Sequence, residues 1–196
     1  MSRRSWLLAL LYAPLREGPP AAALVVHAQG DRLRFSAPSL RFLTGKPLER
    51  LHNGASVTFD FQLTLFAGAR TARLEQSFAQ FVSSYDLWEE KFSVVRLGAA
   101  ARRSASHLSA AAAEAWCLDN LMLPAARLSR DKPFWVRLEL REEDPKERPA
   151  EPGDPGLTLA RLIEIFSRPA REQQLHLVEE AGPLRLMDLE TSATAR

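Results

Sequence analysis

Hydrophobic and polar residues alternate most regularly at Val57-Thr58-Phe59-Asp60-Phe61-Gln62-Leu63-Thr64-Leu65, where five apolar odd positions are separated by four polar even ones. A period of two predicts a half-buried β-strand with its apolar side inward. The alternation returns at Phe134–Arg141, with Val136, Leu138 and Leu140 expected inward and Arg137, Glu139 and Arg141 outward. Between 70 and 97, Phe81, Tyr85 and Leu87 precede Glu89-Glu90-Lys91, and Phe92 and Val94 follow. Strand formers on both sides of a charged tip predict an antiparallel hairpin. Upstream, Leu24-Val25-Val26 and Arg32-Leu33-Arg34-Phe35 read as two strand pieces hinged at Gly30-Asp31, or as one bulged strand.

The period lengthens in three places. Pro47 to Gly54 suits a helix of one or two turns, with proline near its start and Gly54 at its left-handed end, although Asn53-Gly54 also suits a hairpin turn. From about 106 to 121, a serine start, four alanines (Ala110 to Ala113) and a stripe of Leu108, Ala111, Ala115, Leu118 and Met122 predict a packed α-helix that Pro124 stops. Thr158 can cap a third helix, whose stripe is Leu159, Leu162, Ile163 and Phe166 and whose limit is Pro169. Beyond it, Leu175–Val178 and Leu184–Leu186 flank Ala181-Gly182-Pro183 as a small hairpin would.

Many strands around a single central helix predict a mainly β fold, an antiparallel β-sandwich-like or curled sheet with one packed α-helix and a C-terminal amphipathic helix. Residues 142–156 carry four prolines, two glycines and most of a local acidic excess, which divides the chain. The expected organisation is a signal peptide or N-terminal anchor at 1–23, a β-rich domain at 24–141, a Pro/Glu-rich linker at 142–156, and a helix and tail at 157–196.

Composition narrows the function classes. The 196 residues are 46% hydrophobic and 26% charged, which fits a globular chain and excludes collagen-like and multi-span membrane proteins. Twenty-six bases meet twenty-four acids, dispersed rather than gathered on one helix or face, so no nucleic-acid partner is expected. Cys117 is the single cysteine, so an intramolecular disulfide is impossible. At the N-terminus, Arg3 and Arg4, the apolar run Trp6–Tyr12 and Ala21-Ala22-Ala23 follow the order of a secretory signal, although Arg16 and Glu17 interrupt it. A run this short provides no transmembrane span; uncleaved, it would anchor peripherally. The location expected is periplasmic or secreted, and cytoplasmic if 1–23 is not a signal.

The segment from Pro47 to Phe61, the aromatic hairpin Tyr85-Asp86-Leu87-Trp88 with Phe92-Ser93-Val94, the alanine-rich helix and Phe134–Leu140 together resemble a bacterial family, the domain of unknown function numbered four-three-nine-zero. The resemblance covers roughly residues 24–141. It implies an exported protein with a signal or anchor, sometimes encoded beside membrane sensor kinases, and it brings no catalytic residues with it. The linker and the 158–168 helix have no counterpart in the family's pattern.

Candidate chemistry is sparse. His27, His52, His107 and His176 lie on four separate elements without metal-ligand spacing. Ser129-Arg130-Asp131-Lys132 matches an acyl-transfer pattern that needs a helix, which Pro133 forbids. Asp60 is expected on the wet face of its strand, Glu89 and Glu90 in solvent, and Cys117 as a small buried hydrophobe. No Gly-rich phosphate loop or Gly-x-Ser-x-Gly occurs. No catalytic residue, cofactor or metal is therefore expected. Candidate interface residues are Trp88 near a hairpin tip, Trp135 on the charged side of its strand, and the helical stripe Leu159, Leu162, Ile163 and Phe166. The function expected is that of a non-enzymatic, exported interaction or accessory protein of the bacterial envelope, associated with membrane signalling, with a protein as partner. The alternative is a small apolar-ligand-binding β-rich domain whose pocket lies between sheet and helix, with Phe59, Phe61, Trp116 and Leu118 as its lining.

Overall fold

The computed structural model describes residues 24–68, 70, 72–98, 103–143 and 174–194. The 1–23 segment, the body of the linker and the Leu159–Phe166 stripe lie outside them. The fold is mainly β, built of two antiparallel sheets, neither of which closes into a barrel among the described residues.

The smaller sheet has three strands. β1 (Val25–Gln29) and β2 (Arg32–Ser36) form a hairpin that turns at Gly30, whose φ of +59° suits a residue without Cβ. Helix α1 (Gly45–His52) follows, with Pro47 and Leu51 buried. The larger sheet then begins with β3 (Val57–Ala67), β4 (Ala72–Asp86), β5 (Lys91–Leu97) and β6 (Arg103–Leu108). Helix α2 (Ala110–Asp119) leads to β7 (Met122–Pro124), which returns to the small sheet beside β2. β8 (Phe134–Glu142) and β9 (His176–Leu184) complete the larger sheet in the order β6-β5-β4-β3-β8-β9, and α3 (Leu186–Thr194) ends the chain against β1.

The odd positions of β3 behave as their alternation requires. Val57, Phe59, Phe61, Leu63 and Leu65 are buried, beside Val136, Leu138 and Leu140 of β8. Phe42, from the segment between β2 and α1, enters this layer edge-on, 4.9 Å from Phe59 and 5.6 Å from Phe61 between ring centroids. Phe61 meets Phe81 at 5.2 Å, and Phe81 meets Trp116 of α2 at 6.0 Å. Such edge-to-face pairs add to area burial. The core thus lies between the larger sheet and a second layer made of α2, the small sheet and the Phe42 segment.

Several expectations need correction. Helix α2 starts at Ala110 rather than 106: Ser109 is its cap, with Oγ accepting from the Ala112 amide at 3.2 Å, while 106–108 belong to the edge strand β6. Its buried stripe is Ala113, Glu114, Cys117 and Leu118, so Ala111 and Ala115 are exposed. The helix rotates this way because Glu114 has partners inside, as described below. Met122 is not helical but opens β7.

The C-terminal residues do not form a separate hairpin. β9 continues through the cis Gly182–Pro183 bond and pairs with β8 from Arg141↔His176 to Phe134↔Leu184, with one register shift between Val136 and Phe134. Leu186 of α3 lies in the same core cluster as Phe35 and Phe61. The expected boundary at 141 therefore does not separate 174–194 from the domain.

The polar side of the sheet is also not wet. Asp60 is fully buried, and Thr58, Thr64, Gln80, Glu139 and Arg141 are buried with it. Register explains part of this burial. Asp60 sits on a central strand directly between Gln80 and Arg141, two longer side chains on the same face.

Leu186→Ala should lower unfolding free energy by about 2–3 kcal/mol, the cost of emptying a buried leucine site. The urea midpoint would measure it, and an unchanged midpoint would show that α3 is not part of the core.

Candidate functional site

The most exposed large apolar group among the described residues is Trp88, 97% exposed, with Leu87 beside it at 57%. Local sequence puts them there and holds them. Asp86 Oδ1 accepts from the amides of Trp88 (2.8 Å) and Glu89 (3.1 Å), the turn that an aspartate makes with the backbone just after it. Glu90 takes a left-handed φ of +54° before β5 begins. Glu89 is 2.6 Å from His107 Nδ1 on β6, so the tip is tied to the neighbouring strand. Below the turn, Tyr85 contacts Phe92 and His52. The tip is a braced backbone carrying a bare indole.

Hydrogen bonds from the Glu89 and Trp88 amides hold the Asp86 carboxyl below its ordinary range. A depressed folded pKa means that the turn gains stability above the unfolded value near 4 and loses it as pH falls through the lower folded value.

Trp135 is different. It lies at the opposite end of β3 from the hairpin tip, in register with Phe66, and is half-buried. The Arg70 guanidinium carbon lies 5.6 Å from its ring, and a Cβ at Gly182 would come within 2.6 Å of the ring, so Trp135 packs against β9. The structure does not bring Trp88 and Trp135 onto one surface. Leu159, Leu162, Ile163 and Phe166 lie outside the described residues.

Three further constellations carry polar chemistry. On the second face of the larger sheet, Gln80 donates to Asp60 at 2.8 Å. Glu139 accepts from Arg141 Nη2 at 2.6 Å and lies 2.8 Å from His176 Nε2. These contacts tie β4 to β3 and β8 to β9. On the small sheet, His27 Nε2 lies 3.3 Å from Ser36 Oγ, but His27 is exposed and no acid among the described residues orients its ring. A serine nucleophile needs that third group and an oxyanion hole.

The third is Glu114. Its side chain is only 3% exposed, and Oε1 accepts from the amides of Phe42 (2.7 Å) and Leu43 (2.9 Å). Arg41 Nη1 lies 3.6 Å from Oε2, which has no hydrogen-bond partner. Sequence reasoning missed this residue. An acid four positions after Ala110 and three before Cys117 shares the face of both, and that period is the signal that would have marked it. One turn on, burial and the Glu114 charge push the Cys117 thiol far above its ordinary range, which suits a buried hydrophobe rather than a nucleophile.

Among the described residues, no cluster of three or more metal-ligating side chains occurs, and no helix is long and apolar enough to cross a membrane. Phe59 and Phe61, expected as pocket lining, are fully buried against Phe42. A cavity that borders α2 is lined by Ala111, Glu114, Ala115 and Leu118, so of the four expected lining residues Leu118 takes part. In comparisons with known proteins, no family model, curated protein or solved structure matches the chain.

Asp86→Ala should speed hydrogen exchange at the Trp88 and Glu89 amides at neutral pH. In the wild-type protein the same protection should fade as pH drops below about 4. Amide exchange followed by NMR checks both, and equal exchange rates in the two proteins would dismiss the carboxylate's role.

Proposed function

We propose that this chain is a non-enzymatic accessory protein of the bacterial envelope that binds a protein partner through the tip of the β4–β5 hairpin. Trp88 is the observation that carries the reading. A tryptophan almost wholly in water on a braced turn leaves a large apolar area unburied, and indoles of this kind become the anchors of interfaces when a pocket receives them. Pre-ordering of the turn lowers the entropic cost of docking. The turn carries Asp86, Glu89 and Glu90 against Lys91 on either side of Trp88, a negative balance that favours a partner with basic groups around its pocket.

Export and an association with membrane signalling rest on the order of residues 1–23 and on the resemblance over roughly 24–141. In this reading the stripe of Leu159, Leu162, Ile163 and Phe166 is a second contact region, and an uncleaved N-terminus attaches the protein peripherally to the membrane. No nucleic acid, metal or cofactor takes part.

A photo-crosslinking amino acid at position 88 of the full chain, expressed in bacterial cells, should give a discrete adduct that the same group at exposed Asp131 does not. Adducts equal at both positions, or none at 88, would sink the hairpin as the docking element. Residues 1–23 fused to a reporter enzyme active only outside the cytoplasm should yield activity, and a silent fusion would remove export from the proposal.

A further inference from the structure

Two arginines face each other at the edge of the larger sheet. Arg96, near the end of β5, is the direct cross-strand partner of Arg103, which opens the edge strand β6. Residues directly opposite in an antiparallel pair share a face with their Cα atoms roughly 4.5–5.5 Å apart, and like charges placed there destabilise the sheet. Arg96 is also opposite buried Phe81 on β4, so the pair lies on the face of the sheet that α2 covers.

No described carboxylate forms an ion pair with either guanidinium to offset this repulsion. Arg96 is half-buried, and its Nε is buried without a hydrogen-bond partner. Arg103 is exposed, and its Nη1 donates at 3.4 Å to Asn120 Oδ1, a neutral acceptor at the C-terminal end of α2. Burial and then the Arg103 charge hold the Arg96 pKa below its ordinary value, so the two groups feel each other.

The negative end of α2 attracts cations, which accounts for Arg103 beside Asn120 and for Arg34, whose Nη1 donates to the Asp119 carbonyl at 3.2 Å. It does not account for Arg96. A second guanidinium, half withdrawn from water and set against a like charge, is costly unless an anion joins the pair.

We propose that Arg96 and Arg103 bind the phosphate of a phosphomonoester, with Asn120 holding Arg103 in place. Such a group carries about −1.5 to −2 charge at neutral pH and three acceptor oxygens, enough to meet two guanidinium forks at once. A single carboxylate uses both oxygens on one fork and offsets only one of the charges. The site lies at the opposite end of β5 from the Trp88 tip and does not depend on the function proposed above.

NMR titration of the full-length protein, with ionic strength held constant by sodium chloride, tests the site. Glycerol 3-phosphate should produce saturable shifts at the Arg96 Nε–Hε signal and the Asn120 amide, with a Kd about tenfold or more below that of acetate. Arg96→Gln and Arg103→Gln should each weaken this binding by a similar factor. Binding to the native state raises the melting temperature, so glycerol 3-phosphate should stabilise the wild type and neither variant. In chloride alone, Arg103→Gln should melt no lower than the wild type, because it relieves the repulsion.

Phosphatidylcholine vesicles with and without phosphatidic acid separate the two sources of the group. Binding that requires phosphatidic acid and is lost in Arg96→Gln places the phosphate on a lipid, and glycerol 3-phosphate binding without it places the phosphate on a small soluble molecule; either sustains the proposal. Shifts that do not saturate, equal affinity for acetate, or phosphate binding unchanged in both variants would overturn it.

Discussion

The Glu114 carboxylate ties together two parts of the layer that covers the larger sheet, helix α2 and the Phe42 segment. Oε1 collects two consecutive amides, those of Phe42 and Leu43, in a segment that has no strand or helix to satisfy them. Buried backbone donors without partners are costly, and a charged acceptor makes a stronger bond than a neutral one. Because the carboxylate sits on α2 and its donors immediately precede α1, this contact fixes where Phe42 enters the core. Phe42 in turn wedges between Phe59 and Phe61, which align with Phe81 and then Trp116 on the helix that carries Glu114. The circuit closes on itself, so helix rotation, segment path and aromatic packing are one constraint seen from three sides. The rotation also leaves Ala111 and Ala115 facing outward, beside the cavity.

The second constraint is the sheet. β3 lies at its centre and is buried on both faces, apolar on one and polar on the other. A polar face can be buried only when its groups bind one another. Asp60 with Gln80 and Glu139 with His176 supply such pairs across neighbouring strands, and Arg141 pairs with Glu139 along β8. Arg50 pairs with Glu142 to fasten α1 onto β8. The larger sheet is therefore held by side-chain bridges as well as by its ladder, and β9 is part of that arrangement through His176. Residues far beyond the proline-rich segment complete a sheet begun at Val57.

Local period made much of this legible. The alternation at 57–65 and 134–141, the hairpin around Glu89-Glu90, the short helix ending at Gly54 and the Gly30 turn depend on neighbours in sequence, and each appears where its pattern places it. What stayed hidden depends on neighbours in space. Arg103–Leu108 has no regular alternation and is a strand only because it pairs with β5 at the sheet edge. Met122–Pro124 is a strand only because β2 is next to it. Asp60 looks like a surface acid until Gln80 and Arg141 flank it. The burial of Glu114 was not read because the stripe runs through Ala111 and Ala115, and alanine can face either way at little cost. The exposed Trp88 was legible from the hairpin, whereas the burial of Trp135 required β9 to be in place.

Two residues reverse the ordinary rule of burial. Trp88 puts a large apolar group into water, and Glu114 takes a carboxylate out of it. The two reversals are not equivalent. The Glu114 arrangement supports folding through Oε1, and Arg41 lies 3.6 Å from its second oxygen. The Trp88 indole contributes nothing to the core, and Tyr85 and Phe92 pack the hairpin without it. A turn braced by Asp86, with its apolar side chain held outward, has no folding task that a smaller polar residue would not perform as well. The physical case for recognition is thus strongest at the hairpin tip.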